Sequence, residues 1–237
     1  MYKKIIIFGF PHCGTTILRC IISHIDNVYE IQDEILKIDE NNINYINYNF
    51  VLGKWPYFIN KNELLTNYSD YIKIFIIRNP LYVFSSLNKR FLYDINDTEH
   101  TINKYIETIT QFNNFKNTKD IDNLFLIKYE DMFENNYKNL KYIFDEIGFN
   151  YNDNIFNNSN YINKVQFQNN ITIPEKIPPD YKHTEYRLFQ INQKFENNND
   201  NNKIVLTKEQ YRILTTDINI LQAYPENKVQ FHDIDII

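Results

Sequence analysis

The sequence is short of glycine, with four in 237 residues. That excludes collagen-like chains and Gly-rich linkers. It also makes Gly9, Gly14, Gly53 and Gly148 markers of positions where the backbone has a particular task. Cysteine is scarce too, at Cys13 and Cys20. Residues seven apart on one helix stand about two turns, roughly 10 Å, from each other, too far for a disulfide. Nothing in the pair suggests a bridged, secreted scaffold. No run approaches the roughly 20 apolar residues of a membrane span. The early apolar run Ile5-Ile6-Ile7-Phe8, ended by Gly9 and Pro11, is too short for a signal sequence. The expectation is a soluble, cytoplasmic protein with no membrane partner. An excess of basic charge is also lacking: the formal net charge is −5 and the pI about 5.6. A nucleic-acid partner is therefore not expected, although a local basic pocket fits within that balance.

What is present is globular. Hydrophobic residues make up 43% and charged residues 23% of the chain, enough to build a core and too balanced for global disorder. The length suits one domain over residues 1–237, with a core of about 3–148 and a less regular segment of 149–237. About one residue in six is asparagine, which reads as compositional bias rather than as a site.

Residues 3–8 form an apolar, β-branched run with the character of a buried strand. Residues 15–25 read as a helix that is apolar nearly all round, and so packed into a core. Strands follow at 50–52, 73–77 and 124–128. Helices are expected over 81–93, 101–116 and 132–147. Pro80 opens the first of these and Gly148 ends the last. Asp33 and Glu34 read as surface acids opening a short helix over 33–39. Residues 207–223 read as a terminal helix with Thr207 as N-cap and Gln210 in the capping-box position. Residues 150–203 are Asn-rich with three prolines and read as a long excursion, its low-complexity part 195–203 as mobile. Alternating strands and helices indicate an α/β, P-loop-like three-layer fold: a central, mostly parallel sheet flanked by helices.

The strongest local feature is Gly9-Phe10-Pro11-His12-Cys13-Gly14-Thr15-Thr16, between the first strand and the first helix. Backbone N–H groups at a helix N-terminus favour an anion, and Thr15 and Thr16 add hydroxyl donors. The spacing matches G-x-x-x-x-G, but Thr15 stands where a nucleoside-triphosphate binder has its lysine. The loop is shaped for phosphate and poorly suited to ATP with magnesium. A bare strand–helix turn and a degenerate kinase or NTPase loop are the competing readings.

Pro11-His12-Cys13-Gly14-Thr15-Thr16 resembles the 5′-phosphosulfate loop of the sulfotransferases that use 3′-phosphoadenylyl sulfate (PAPS). Three further segments, in order, resemble the same family. Arg78 in Ile76-Ile77-Arg78-Asn79-Pro80, with Ser86 eight residues on, resembles the family's 3′-phosphate site, and Arg90 lies one turn beyond Ser86. Lys54 in Gly53-Lys54-Trp55-Pro56 resembles the K-x-P segment of the glycan and tyrosyl-protein branches. Tyr129 in Ile127-Lys128-Tyr129-Glu130-Asp131 resembles a segment whose tyrosine lines the nucleotide site. The simpler reading of Glu130 and Asp131 is first-turn helix charge.

The resemblance implies a PAPS-dependent sulfotransferase with PAP as product and no metal. Pro11, His12, Cys13, Gly14, Thr15, Thr16, Arg78, Ser86, Arg90 and Tyr129 would bind the nucleotide. Lys54 and His12 would neutralise charge on the sulfuryl and leaving phosphate oxygens. A carboxylate about twenty residues past the loop serves the family as base. Glu34 fits the glycan-type spacing and is favoured, with Asp33 at the tyrosyl-type spacing. His12 departs from the usual Lys or Arg and supplies a titratable charge in place of a fixed one. Cys13 stands where the family has Ser or Gly and reads as a small filler, with a thiol pKa lowered by the helix N-terminus as the lesser alternative. Lys164, Lys176, His183 and Arg187 are candidates to close over the nucleotide; Trp55, Tyr57, Phe91 and Tyr93 read first as core packing, with stacking on a sugar or aryl acceptor as the alternative. A non-catalytic PAP-binding module is the alternative function.

Overall fold

The computed structural model describes residues 2–91, 100–159, 161–162, 194–199, 204–228 and 234–236, with the backbone only for residues 90 and 91. Five strands form one sheet: β1 (Lys3–Gly9), β2 (Val28–Glu34), β3 (Phe50–Trp55), β4 (Tyr71–Ile77) and β5 (Leu124–Lys128). Their order is β2-β3-β1-β4-β5, and every pair is parallel. The central β1 is flanked by β3 and β4, so its carboxyl end is the place where the chain's path reverses across the sheet, the usual crevice for a ligand in open α/β sheets.

The apolar runs of β1 and β4 are continuous because both faces of the sheet are covered. Ile5, Ile7, Ile72, Ile74 and Ile76 face one core with the helices α1 (Thr15–Ser23) and α5 (Lys138–Ile147). Ile6, Phe8, Tyr71, Phe75 and Ile77 face the other. That second face is covered by α3 (Pro80–Phe91) and α4 (Ile102–Phe115), with Leu214, Ile220 and Ala223 from α6 (Lys208–Leu214) and α7 (Ile218–Ala223). A short helix, α2 (Lys61–Thr66), links β3 to β4, and β6 (Ile204–Leu206) pairs with β7 (Ile234–Ile236) beside α3. Among the described residues no helix is long and apolar enough to cross a membrane.

Several boundaries differ from the sequence expectation, each for a local reason. Residues 33 and 34 close β2 instead of opening a helix, because Glu34 pairs with Lys54 of β3. The helix expected over 132–147 begins only at Lys138, since Asn135, Asn136 and Tyr137 adopt left-handed conformations. Gly148 ends it at φ 84°, its N–H reaching back to Phe144. The helix expected over 207–223 is two, because Asp217 accepts from the N–H groups of Asn219 and Ile220 and starts a new helix. Thr207 and Gln210 form the expected capping box. Pro80 opens α3, with the Asn79 side chain accepting from Leu81 N–H.

Gly9, at the end of β1, lies so close to β4 that a Cβ there would stand 2.2 Å from the Ile76 carbonyl oxygen. Gly148 has open space around it. Gly9→Ala is therefore expected to destabilise by about 3 kcal/mol through overpacking, and Gly148→Ala by about 1 kcal/mol through left-handed strain alone. Urea unfolding of the two variants measures the difference, and equal losses would contradict it.

Candidate functional site

The carboxyl ends of all five strands carry the residues singled out from the sequence. After β1 the chain turns at Phe10–Gly14, with Cys13 N–H donating to Phe10 O, and enters α1. His12 sits at φ 66° and Gly14, the N-cap, at φ 93°. Gly14 offers no side-chain cap, so the first-turn amides of α1 have no competing side chain from their own N-cap. A Cβ on Gly14 would stand 2.4 Å from the Tyr129 ring. The glycine therefore lets the turn lie flat against the aromatic side chain that follows β5.

Lys54 and Glu34 meet at the ends of β3 and β2. Lys54 is 5% exposed, and its ammonium donates to Thr16 Oγ1 at 3.0 Å and lies 3.1 Å from Glu34 Oε1. Loop hydroxyl, cation and carboxylate thus form one connected line. Asp33, one residue earlier on β2, is exposed.

Arg78, just past β4, stacks over the Tyr129 ring, 4.4 Å from its centroid. Its guanidinium donates from Nη1 to the His12 carbonyl at 3.3 Å, from Nε to Asn199 Oδ1 at 2.8 Å and from Nη2 to the Asn198 carbonyl at 3.4 Å. Ser86, in α3, lies 2.7 Å from His12 Nδ1. Pro11, Cys13 and Thr15 are buried, whereas His12, Thr16, Arg78 and Ser86 are half-buried. Burial pushes the Tyr129 phenol above its ordinary value, with the Arg78 charge over its ring working the other way. The structure therefore gathers Thr16, Lys54 and Glu34 on one side of the loop and His12, Arg78, Ser86 and Tyr129 on the other. The Arg90 side chain, Phe91, Tyr93 and residues Lys164, Lys176, His183 and Arg187 lie outside the described residues and side chains. Trp55 and Tyr57 are half-buried beside Lys54, ring centroids 5.2 Å apart.

Three features escaped the sequence reading. The Asn-rich segment expected to be mobile is held at residues 194–199. Phe195 is buried, Tyr137 Oη donates to its carbonyl, and Tyr129 Oη accepts from Asn198 N–H. Nothing in a run of asparagines distinguishes the two that reach Arg78. Glu130, read as helix charge, accepts from Asn79 N–H at 2.9 Å, Asn199 Nδ2 at 3.0 Å and Tyr224 Oη at 3.3 Å, tying Arg78's neighbours together. Arg19 is 6% exposed in α1. Its signal was available: a lone charge in the otherwise apolar run Ile17 to Ile22.

No protein-family model matches the sequence, and no curated protein matches it. Solved structures do. A mouse sulfotransferase, SULT7A1, complexed with PAP, superposes with a TM-score of 0.51 over 94% of this chain and 88% of its own, at 15% identity. A sulfotransferase domain from the curacin biosynthetic pathway matches with a TM-score of 0.45, over 66% of this chain and 77% of its own, at 12% identity. The first match shows that the chain has the sulfotransferase fold.

Cys13 fills space as the sequence reading favours, and neither cysteine has a lowered thiol pKa. Cys13 is fully buried, and burial pushes its thiol up to about 12; burial pushes Cys20 up to about 11. Both are thiols, not thiolates, at pH 8. Ellman's reagent should count no thiol in the native protein at that pH and two after unfolding in guanidinium. One fast-reacting native thiol would refute this.

Proposed function

We propose that this protein, built on the sulfotransferase fold, binds PAPS across the carboxyl edge of its sheet and transfers the sulfuryl group to a hydroxyl acceptor. The observation that carries the reading is the buried Lys54 ammonium held between Thr16 of the loop and Glu34. It aligns a phosphate-binding hydroxyl, a cation and a base over one short span.

The residues fit such a nucleotide at both ends. The α1 amides with Thr15 and Thr16 suit the 5′-phosphosulfate, and the Gly14 turn is flat enough for close backbone approach. Arg78 and Ser86 suit the 3′-phosphate. Arg78 now holds three neutral oxygens, a set that a phosphate replaces with bonds in which both donor and acceptor carry charge. The bound donor supplies the sulfuryl group and a phosphate leaving group.

Glu34 takes the proton of the attacking hydroxyl, a contribution of about 10²–10⁴-fold. Lys54 pairs with Glu34 before the reaction and faces the developing negative charge during it. His12, drawn to Ser86, holds that hydroxyl on the 3′-phosphate side. Most of the acceleration then comes from positioning and fixed charge, as in phosphoryl transfer.

PAP at one hundred times its Kd should raise stability by about 2.7 kcal/mol. Arg78→Ala should remove that shift. Glu34→Gln should keep it but lower transfer of radiolabelled sulfate from PAPS, in a screen of glycan, phenol and peptide hydroxyls, by about 10²–10⁴-fold. Absence of a thermal shift with PAP, together with magnesium-dependent ATP binding, would replace this reading by that of an NTPase. PAP binding without turnover on any acceptor would reduce it to a binding module.

A further inference from the structure

Glu34 faces Lys54 only because β2 is irregular. In a regular parallel ladder, residues two apart on one strand match residues two apart on its neighbour. Glu30 pairs with Leu52, so a regular β2 would bring Gln32 opposite Lys54. Instead Glu34 is the partner: β2 takes four steps where β3 takes two. The extra residues form a bulge across Ile31 to Asp33, a device that re-aims a side chain beside a site. Here it exchanges an amide for a carboxylate at the Lys54 position.

Two residues, Ile35 and Arg19, hold the bulge. Beyond it, Ile35 N–H donates to the Lys54 carbonyl at 3.0 Å. The Ile35 side chain lies over Gly53, where a Cβ would stand 2.8 Å from Ile35 Cδ1. Within the bulge, Arg19 of α1 donates from Nη1 to the Gln32 carbonyl. The same guanidinium lies with Nε 2.9 Å from Glu30 Oε1, an ion pair not aligned as a hydrogen bond. Glu30 is fixed from its other side by Tyr161 Oη, 3.0 and 3.1 Å from its two oxygens. Arg19 therefore grips the last regular residue of β2 and the middle of the bulge at once.

The geometry points to Arg19 as a positioning residue that sets the register of β2, and so decides which side chain faces Lys54. The inference rests on the proposed reading only for what Glu34 does there; the register itself is independent of any nucleotide.

Zero-length carbodiimide crosslinking reads that register, because it joins a carboxylate to an amine only in direct contact. In the wild-type chain, peptide mass spectrometry should find Glu34 joined to Lys54. In Arg19→Met the crosslink should be lost while circular dichroism and the PAP thermal shift persist. Adding Gln32→Glu to Arg19→Met should restore a crosslink, now from position 32 to Lys54. Gln32→Glu in the wild-type background should give none from that position. A merely structural role for Arg19 would not move the crosslinked position. Should Arg19→Met fail to fold, Arg19→Met with Glu30→Gln leaves no unpaired buried charge and carries the same expectation. A Glu34–Lys54 crosslink that survives in either folded variant overturns the inference. A wild-type chain that crosslinks as expected but shows no shift with PAP overturns the sulfotransferase reading alone.

Discussion

A buried ammonium has to be met by charge and hydrogen bonds, since leaving it unpaired costs several kcal/mol. Lys54 is that group here, and its two partners come from different parts of the chain: Thr16 from the first turn of α1 and Glu34 from the end of β2. The constraint couples three strand ends. β1 delivers the loop, β3 delivers the lysine, and β2 has to bulge to deliver the carboxylate. Gly53 and Arg19 then acquire purposes that neither has on its own, the one giving Ile35 room and the other holding the bulge.

The opposite half of the crevice is organised around Tyr129. Its ring fills the space that Gly14 leaves and carries the Arg78 guanidinium on its face. Tyr105 Oη and Glu130 fix the peptide that follows that arginine, the one donating to the Arg78 carbonyl and the other accepting from the Asn79 N–H. A planar cation held this way by stacking and backbone keeps its fork in one fixed orientation. The segment at 194–199 adds neutral oxygens to the same fork, so a distant stretch of chain shares in the site without contributing a charge to Arg78.

The two sides differ in how far they can be read from residues alone. The Phe10–Gly14 turn, Lys54, Arg78 and Tyr129 stand at strand ends, where an apolar run stops and a special residue follows, and such punctuation is visible in a linear chain; Ser86, inside α3, is legible only by its spacing from Arg78. The choice between Asp33 and Glu34 is not. Spacing leaves both open, and the strand itself reads as the start of a helix because its apolar alternation is broken by the bulge. The asparagines at 198 and 199 are equally hidden, since identical neighbours carry no distinguishing pattern.

Local chemistry thus determined the alternation of strand and helix, the parallel sheet and the anion-shaped turn, because periodicity, glycine placement and helix caps act between near neighbours in sequence. Which carboxylate meets the lysine, which oxygens occupy the arginine and how high the thiols titrate were decided only in three dimensions. Register, burial and the partners of a charge depend on segments far apart along the chain, and no short window contains both sides of such a contact.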